Sequence, residues 1–452
     1  MNHIKNIKKI ISIIFVLCAA SGLYIAEYGN VSGIKQPAYN NTPINQIKYE
    51  ASAKADFYTY NNKIYYCTKD GMQLLSDDGN IVWSDTYTLS EPYMVNDGEI
   101  TAVCEPRGKN IYVYNLKGRM YTIESKGNIS FISVNTKGYL CSVSSFDEYY
   151  ELNVYNNSGE RVFFGNFQMD DGFPVASDIS DDGKILAVSF VTIDEINLKT
   201  KVLFYYIGEK ENEESDSDNM FASFVLDNSI GAMICFMKDG SVIVVSDSKI
   251  SCIDFSNGYT ERWSKELNNE LSAIAFPEKK YVAIAFGKKF INAKNPEDEN
   301  IVKWFGLTGK EEAYFKSNKT VTGLYPYEKA TIIAADRSFN AVKNNGSLIW
   351  SYNTIQDVKK ILFIDEYQDI LFITQSEADV TIVENMANED NDSSEDETTN
   401  NNTNENTEKQ TEDTANNNNQ NTQNKNNNKN KNNEKETKEA LPPDNTVSPS
   451  AA

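Results

Sequence analysis

From Phe57 to Val383 the chain is a succession of short apolar runs rich in Ile, Val, Tyr and Phe. Polar or glycine-bearing turns separate them, and no long stretch of 3.6-residue periodicity interrupts them. The pattern predicts an all-β region. One template recurs in it: a turn, then an apolar strand that ends on a small residue. The copies are KIYYC (Lys63 to Cys67), EITAVC (Glu99 to Cys104), YLCSVS (Tyr139 to Ser144), KILAVS (Lys184 to Ser189), SVIVVS (Ser241 to Ser246), KYVAIA (Lys280 to Ala285), ATIIAA (Ala330 to Ala335) and DILFIT (Asp369 to Thr374). Their small residues are 37, 40, 45, 57, 39, 50 and 39 positions apart, about 44 on average. A four-stranded propeller blade takes about that many residues. Eight copies therefore predict an eight-bladed β-propeller, with a seven-bladed ring as the alternative.

Each copy has the neighbours a blade requires. An apolar strand precedes the template (Ile129 to Val134, Ala232 to Phe236, Ile361 to Ile364) and a third follows it (Ile111 to Tyr114, Val202 to Tyr205, Val380 to Val383). A hairpin glycine then introduces an outer strand: Gly79, Gly118, Gly159, Gly258, Gly309 and Gly346, with Gly208 a looser match before an acidic insertion from Glu209 to Asp218. The eighth copy has neither hairpin glycine nor fourth strand, which would leave an exposed sheet edge. Residues Ile44 to Glu50, alternating at Ile47 and Tyr49, are placed to supply the missing strand from the other end of the chain.

The two ends read differently. Lys5, Lys8 and Lys9 precede an apolar run from Ile10 to Ala26, so residues 1–9 are expected on the cytoplasmic side, 10–26 as a transmembrane signal anchor and 27–43 as a linker. Ala20-Ser21-Gly22 offers small residues where a signal peptidase could cut instead. Leu17 is too bulky for a lipoprotein site at Cys18, which leaves that thiol buried in the membrane. Residues 44–387 form the propeller. From Asn388 to Glu439 the only apolar residue is Ala415, so residues 388–452 are expected to be a disordered low-complexity tail.

Two copies carry a more specific signature. Asp78-Gly79-Asn80-Ile81-Val82-Trp83 and Asn345-Gly346-Ser347-Leu348-Ile349-Trp350 place a tryptophan four positions after the turn glycine, and Asn257-Gly258 to Trp263 repeats this with one extra residue. Here the sequence resembles the quinoprotein-dehydrogenase-like propellers, whose PQQ-like repeats end in a glycine turn, an apolar pair and a tryptophan. The order of basic N-terminus, single membrane segment and propeller also resembles a family of membrane-anchored proteins of unknown function from clostridia-like bacteria. The first resemblance implies a propeller. Enzymes of that group hold a quinone and calcium, often beside a vicinal cysteine pair, and this chain has no adjacent cysteines. The stretch Ile179-Ser180-Asp181-Asp182-Gly183-Lys184 is the generic blade opening of many propellers and points to no activity.

Composition narrows the chemistry. The single histidine is His3, which removes histidine-based triads, His-ligated zinc or haem, and imidazole acid–base catalysis. The net charge is -22, of which the tail holds -8, so the propeller itself is acidic and nucleic acid is an unsuitable partner. Asp216, Asp218 and Asn219 imitate the start of a calcium loop, but Phe221 stands where such a loop needs glycine. Cys67, Cys104, Cys141, Cys235 and Cys252 read as buried small residues within strands, and no cysteine framework emerges. The sequence singles out no catalytic, cofactor-binding or metal-ligating residue and predicts no cofactor. The expectation is an extracytoplasmic, membrane-anchored, non-catalytic interaction module whose partner is an envelope protein or cell-wall component. A ligand or glycan sensor is the alternative, and a quinone-cofactor enzyme a third reading.

Overall fold

The computed structural model describes residues 44–194, 197–208, 219–255, 259–291, 293–354, 357–365 and 369–382. The expected membrane segment, the tail, the acidic insertion, Asp216 and Asp218, Gly258 and Val383 lie outside them. No helix of the described residues is long and apolar enough to cross a membrane.

Eight four-stranded antiparallel sheets are present among the described residues, which decides between eight blades and seven. Residues 56–86, 93–124, 128–168, 173–227, 231–266, 269–316 and 323–353 form blades 1 to 7, each from four consecutive strands running from the inner to the outer edge. Blade 8 takes its three inner strands, Lys360–Asp365, Asp369–Ile373 and Glu377–Ile382, from the far end and its outer strand, Asn45–Lys48, from the near end. The expected ring closure is therefore observed, in the register Asn45 opposite Val380 and Lys48 opposite Glu377. Side chains reinforce the seam: Gln46 Nε2 donates to Asp379 Oδ1 at 2.9 Å and the Tyr49 hydroxyl to the Thr374 carbonyl at 2.9 Å. On the inner edge, Lys360 of blade 8 meets Asp56 of blade 1 at 2.7 Å.

Apolar alternation on both faces of each sheet builds the core between blades rather than in one centre. Buried clusters occupy the eight interfaces, one for each neighbouring pair, the pair formed by blades 8 and 1 included. The recurrent small residues are all buried. They lie where the linker from one blade to the next crosses the second strand. Ser144 Oγ meets Ser125 Oγ at 2.7 Å, Ser189 Oγ donates to the Gly231 carbonyl at 2.6 Å, and Cys67 Sγ lies 3.2 Å from the Tyr87 hydroxyl. A large side chain there would displace the linker. The irregular spacings also have causes: blade 4 has two ten-residue strands, Ile185–Asp194 and Asn197–Tyr206, and blade 6 has a loop between Lys289 and Ile301.

Two copies of the tryptophan signature tie neighbouring blades together. Trp83 Nε1, on the outer strand of blade 1, donates to the Leu116 carbonyl of blade 2 at 3.1 Å, and Trp263 Nε1 of blade 5 donates to the Leu307 carbonyl of blade 6 at 2.9 Å. Both acceptors stand two residues before a hairpin glycine. At Gly309, with φ +77°, a Cβ would lie 2.7 Å from the Trp263 ring, so the turn requires glycine for both its conformation and its neighbour.

Candidate functional site

The turns that join inner to second strands share one face of the ring, and those of blades 2, 4 and 6 meet over the channel. Blades 2 and 6 stand opposite each other in an eight-membered ring. In blade 6 the connection is the 3-10 turn Pro277–Lys279, in which Glu278 and Lys279 both have φ of +53°. Two consecutive left-handed residues that are not glycine are costly, and their neighbours hold them in place. Lys238 N donates to the Lys279 carbonyl at 2.8 Å, and Asn344 Nδ2 to Glu278 Oε2 at 3.3 Å.

This geometry carries the Lys279 ammonium across the channel mouth, where it contacts Asp97 of blade 2 at 2.7 Å and Asp181 of blade 4 at 3.0 Å. Asp178, on the inner strand of blade 4, accepts from Phe236 N at 2.7 Å. Burial pushes the Asp178 carboxyl up to about 7, with the Lys279 charge acting the other way. Burial raises Asp97 as well, again against the pull of Lys279. For Lys279, burial works against the charged form, and the carboxylates of Asp97 and Asp178 outweigh it, so its pKa lies above the ordinary lysine value. A permanently protonated amine is no nucleophile. Its chemical role here is to neutralise carboxylates and pin three blades together.

Beside this pin, a cleft of about 480 Å³ opens between blades 2 and 3, lined by Glu99, Ile100, Asn115, Met120, Thr136, Lys137, Tyr139, Asn157 and Asp182. Two turns divide their carboxylates between the sites: Asp97 and Asp181 serve the pin, Glu99 and Asp182 the cleft. Gly138, held by the Tyr121 hydroxyl donating to its carbonyl at 2.8 Å, borders the same space. A Cβ there would lie 2.9 Å from Met120 Cε and 3.4 Å from Asn157 Cβ.

Of the acids at the channel mouth, Asp97 and Asp178 lie in inner strands and Asp181 in the turn of blade 4. Among the described residues no group of His, Cys, Asp or Glu has the geometry to hold a metal ion. The generic blade opening is also more than a fold marker, because Asp181 and Asp182 supply both sites. Of the imitated calcium loop, Asn219 and Phe221 are described: the Asn219 carbonyl accepts Tyr206 N at 2.9 Å, and Phe221 lies in the strand Met220–Asp227. The five described cysteines are free and buried.

Residues 35–382 match the model of a family of unknown function, DUF5711, and the chain belongs to that family. No curated protein matches the sequence. Similar solved structures include Sqt1 from Chaetomium thermophilum (13% identity, 76% of this chain and 100% of that one, TM-score 0.49) and BamB from Moraxella catarrhalis (11%, 75% and 99%, TM-score 0.45). Another is apo AztD from Citrobacter koseri (9%, 67% and 86%, TM-score 0.45).

Proposed function

We propose that the chain is a membrane-tethered, non-catalytic interaction module of the cell envelope. Residues 10–26 hold it in the membrane with residues 1–9 on the cytoplasmic side, and the propeller lies outside. Its turn face docks an envelope protein or cell-wall component. The basic residues on the N-terminal flank support the orientation.

The observation that carries the binding reading is the cleft between blades 2 and 3, a space of side-chain size on a face braced by the Lys279 pin. Rigid loops presented by a propeller suit recognition. Tethering raises the local concentration of such a surface, so modest affinity suffices. Asn115, Asn157 and Tyr139 in the same cleft favour a ligand or glycan sensor as the second reading.

Crosslinking in intact cells followed by identification of the captured neighbours tests the proposal. A reproducible envelope partner is the expected result. Turnover of an envelope substrate by the purified chain with divalent metals or quinone, lost on substitution of Asp178, would overturn it.

A further inference from the structure

We propose that the cleft between blades 2 and 3 receives a basic side chain, arginine or lysine, presented by a peptide segment of the partner; this rests on the reading above. The walls carry two carboxylates, Glu99 and Asp182, on turns of different blades. Asp182 spends one oxygen on its own turn, accepting from Ser180 Oγ at 2.6 Å and Lys184 N at 3.1 Å, which fixes the carboxylate and leaves the second oxygen available. Glu99 is partly buried, and among the described residues no hydrogen bond or ion pair engages its carboxylate. Lys137, the cleft's own cation, makes no ion pair with either acid among the described residues, so the anionic positions are not filled from within.

The rest of the lining matches the remainder of such a ligand. Met120, backed by the buried Ile100, offers apolar surface for an aliphatic stem, and Tyr139 adds aromatic surface to the same lining. The Asn115 and Asn157 side chains supply amide groups for the peptide backbone. Gly138 keeps the space between Met120 and Asn157 open. A neutral sugar would use the amides and the ring but leave Glu99 without a charged partner. The carboxylates therefore favour the cation. The acidic propeller draws such a segment in, and the contact weakens with salt.

The test titrates blocked peptides Gly-Gly-X-Gly-Gly, with X as Arg, Lys or Gln, and a neutral chito-oligosaccharide against the full chain in detergent, read by saturation-transfer NMR. Saturable binding of the Arg and Lys peptides is expected in the millimolar range, with the Gln peptide at least tenfold weaker. Raising NaCl from about 0.05 to about 0.5 M should weaken binding several-fold. Glu99→Gln with Asp182→Asn should weaken the Arg peptide at least tenfold, whereas Asp147→Asn, an exposed acid in a turn on the opposite face, should not. Glu99→Gln alone, which leaves the Asp182 turn intact, should lose several-fold. Equal signals from Arg and Gln peptides, equal effects of the Asp147 and Glu99 variants, or salt-insensitive binding of the sugar alone would overturn the inference. Capture of the same cellular partner by wild type and the double variant would overturn it too, while leaving the proposed function standing.

Discussion

Replacing Lys279 with methionine tests whether the channel mouth is held by charge or by packing. Methionine keeps the Cβ and most of the stem, so the left-handed backbone at this position is equally strained in both proteins. What disappears is an ammonium 2.7 Å from Asp97, with both side chains only 18% exposed. Removing one partner of a buried pair costs about 3–5 kcal/mol. Asp181 is more open to water, at 31%, which relieves part of that cost. We expect a loss of about 3 kcal/mol at pH 8.

The pH dependence fixes the cause. Asp178 rises from its ordinary 3.8 to about 7 in the folded chain, so the native state binds more protons than the unfolded one between these values. Its contribution to stability is complete below pH 3.8 and is lost as pH rises through about 7. The Lys279 charge lowers both Asp97 and Asp178, so removing it raises them further. The variant's deficit should then shrink to about 1 kcal/mol at pH 5, where the orphaned carboxyls take up protons. Urea unfolding followed by tryptophan fluorescence at pH 5 and pH 8 measures both numbers, and Lys279→Arg should recover most of the loss. An equal deficit at the two pH values would refute the electrostatic account, as would no deficit at pH 8.

Four further outcomes are expected. Deleting residues 44–50 should lower the melting temperature by roughly 10 °C because it opens the seam of blade 8, whereas deleting 388–452 should leave it unchanged in a thermal scan. Gly309→Ala should cost about 2–3 kcal/mol, since its Cβ meets Trp263; Gly118→Ala, whose Cβ meets nothing within 4 Å, should cost about 1 kcal/mol in the same denaturation assay. The five propeller thiols should resist an aromatic disulfide reagent at pH 8 until the chain unfolds, because burial pushes Cys67 and Cys104 up to about 12 and keeps them as thiols. Protease added to intact, wall-stripped cells should remove the tail; protection until the membrane is lysed would reverse the proposed orientation.

The blade count was legible because its signals are local. A small residue under each linker crossing recurs in all eight copies and a hairpin glycine in most of them, so one sequence holds many copies of the same constraint. Even the closing strand could be inferred, since the eighth copy alone lacked an outer strand. The channel mouth was not legible. Asp97, Asp181 and Lys279 are 98 and 182 residues apart along the pairs that meet, and no periodicity announces which turns face one another across a ring. One signal did exist: blades 2 to 5 have glycine at this turn (Gly98, Gly138, Gly183, Gly240), whereas blade 6 has Pro277-Glu278-Lys279-Lys280. That signal alone does not single out blade 6, because the corresponding turns of blades 1 (Asn61, Asn62) and 7 (Glu328) also hold non-glycine residues at positive φ; what sets blade 6 apart is a lysine there whose ammonium reaches Asp97 and Asp181. The cleft escaped for a related reason, since its walls come from five turns whose individual sequences are ordinary.

Pin, seam and cleft belong to one mechanical arrangement. A ring closed by a four-residue strand has one weak place, the pairing of Asn45–Lys48 with Glu377–Ile382, and Lys360 and Asp56 add a tie between blades 8 and 1 on the inner edge. The Lys279 pin works along a different line, a diameter from blade 6 to blade 2 with a branch to blade 4, so it resists the splaying that an opened seam would allow. The residues it grips are sequence neighbours of the cleft walls: Asp97 is two positions from Glu99, and Asp181 adjoins Asp182. Fixing one carboxylate of each turn therefore fixes the other. A cleft whose anionic groups are already in place loses little entropy when a cation enters, and preorganisation of this kind lets a single charged contact contribute useful affinity.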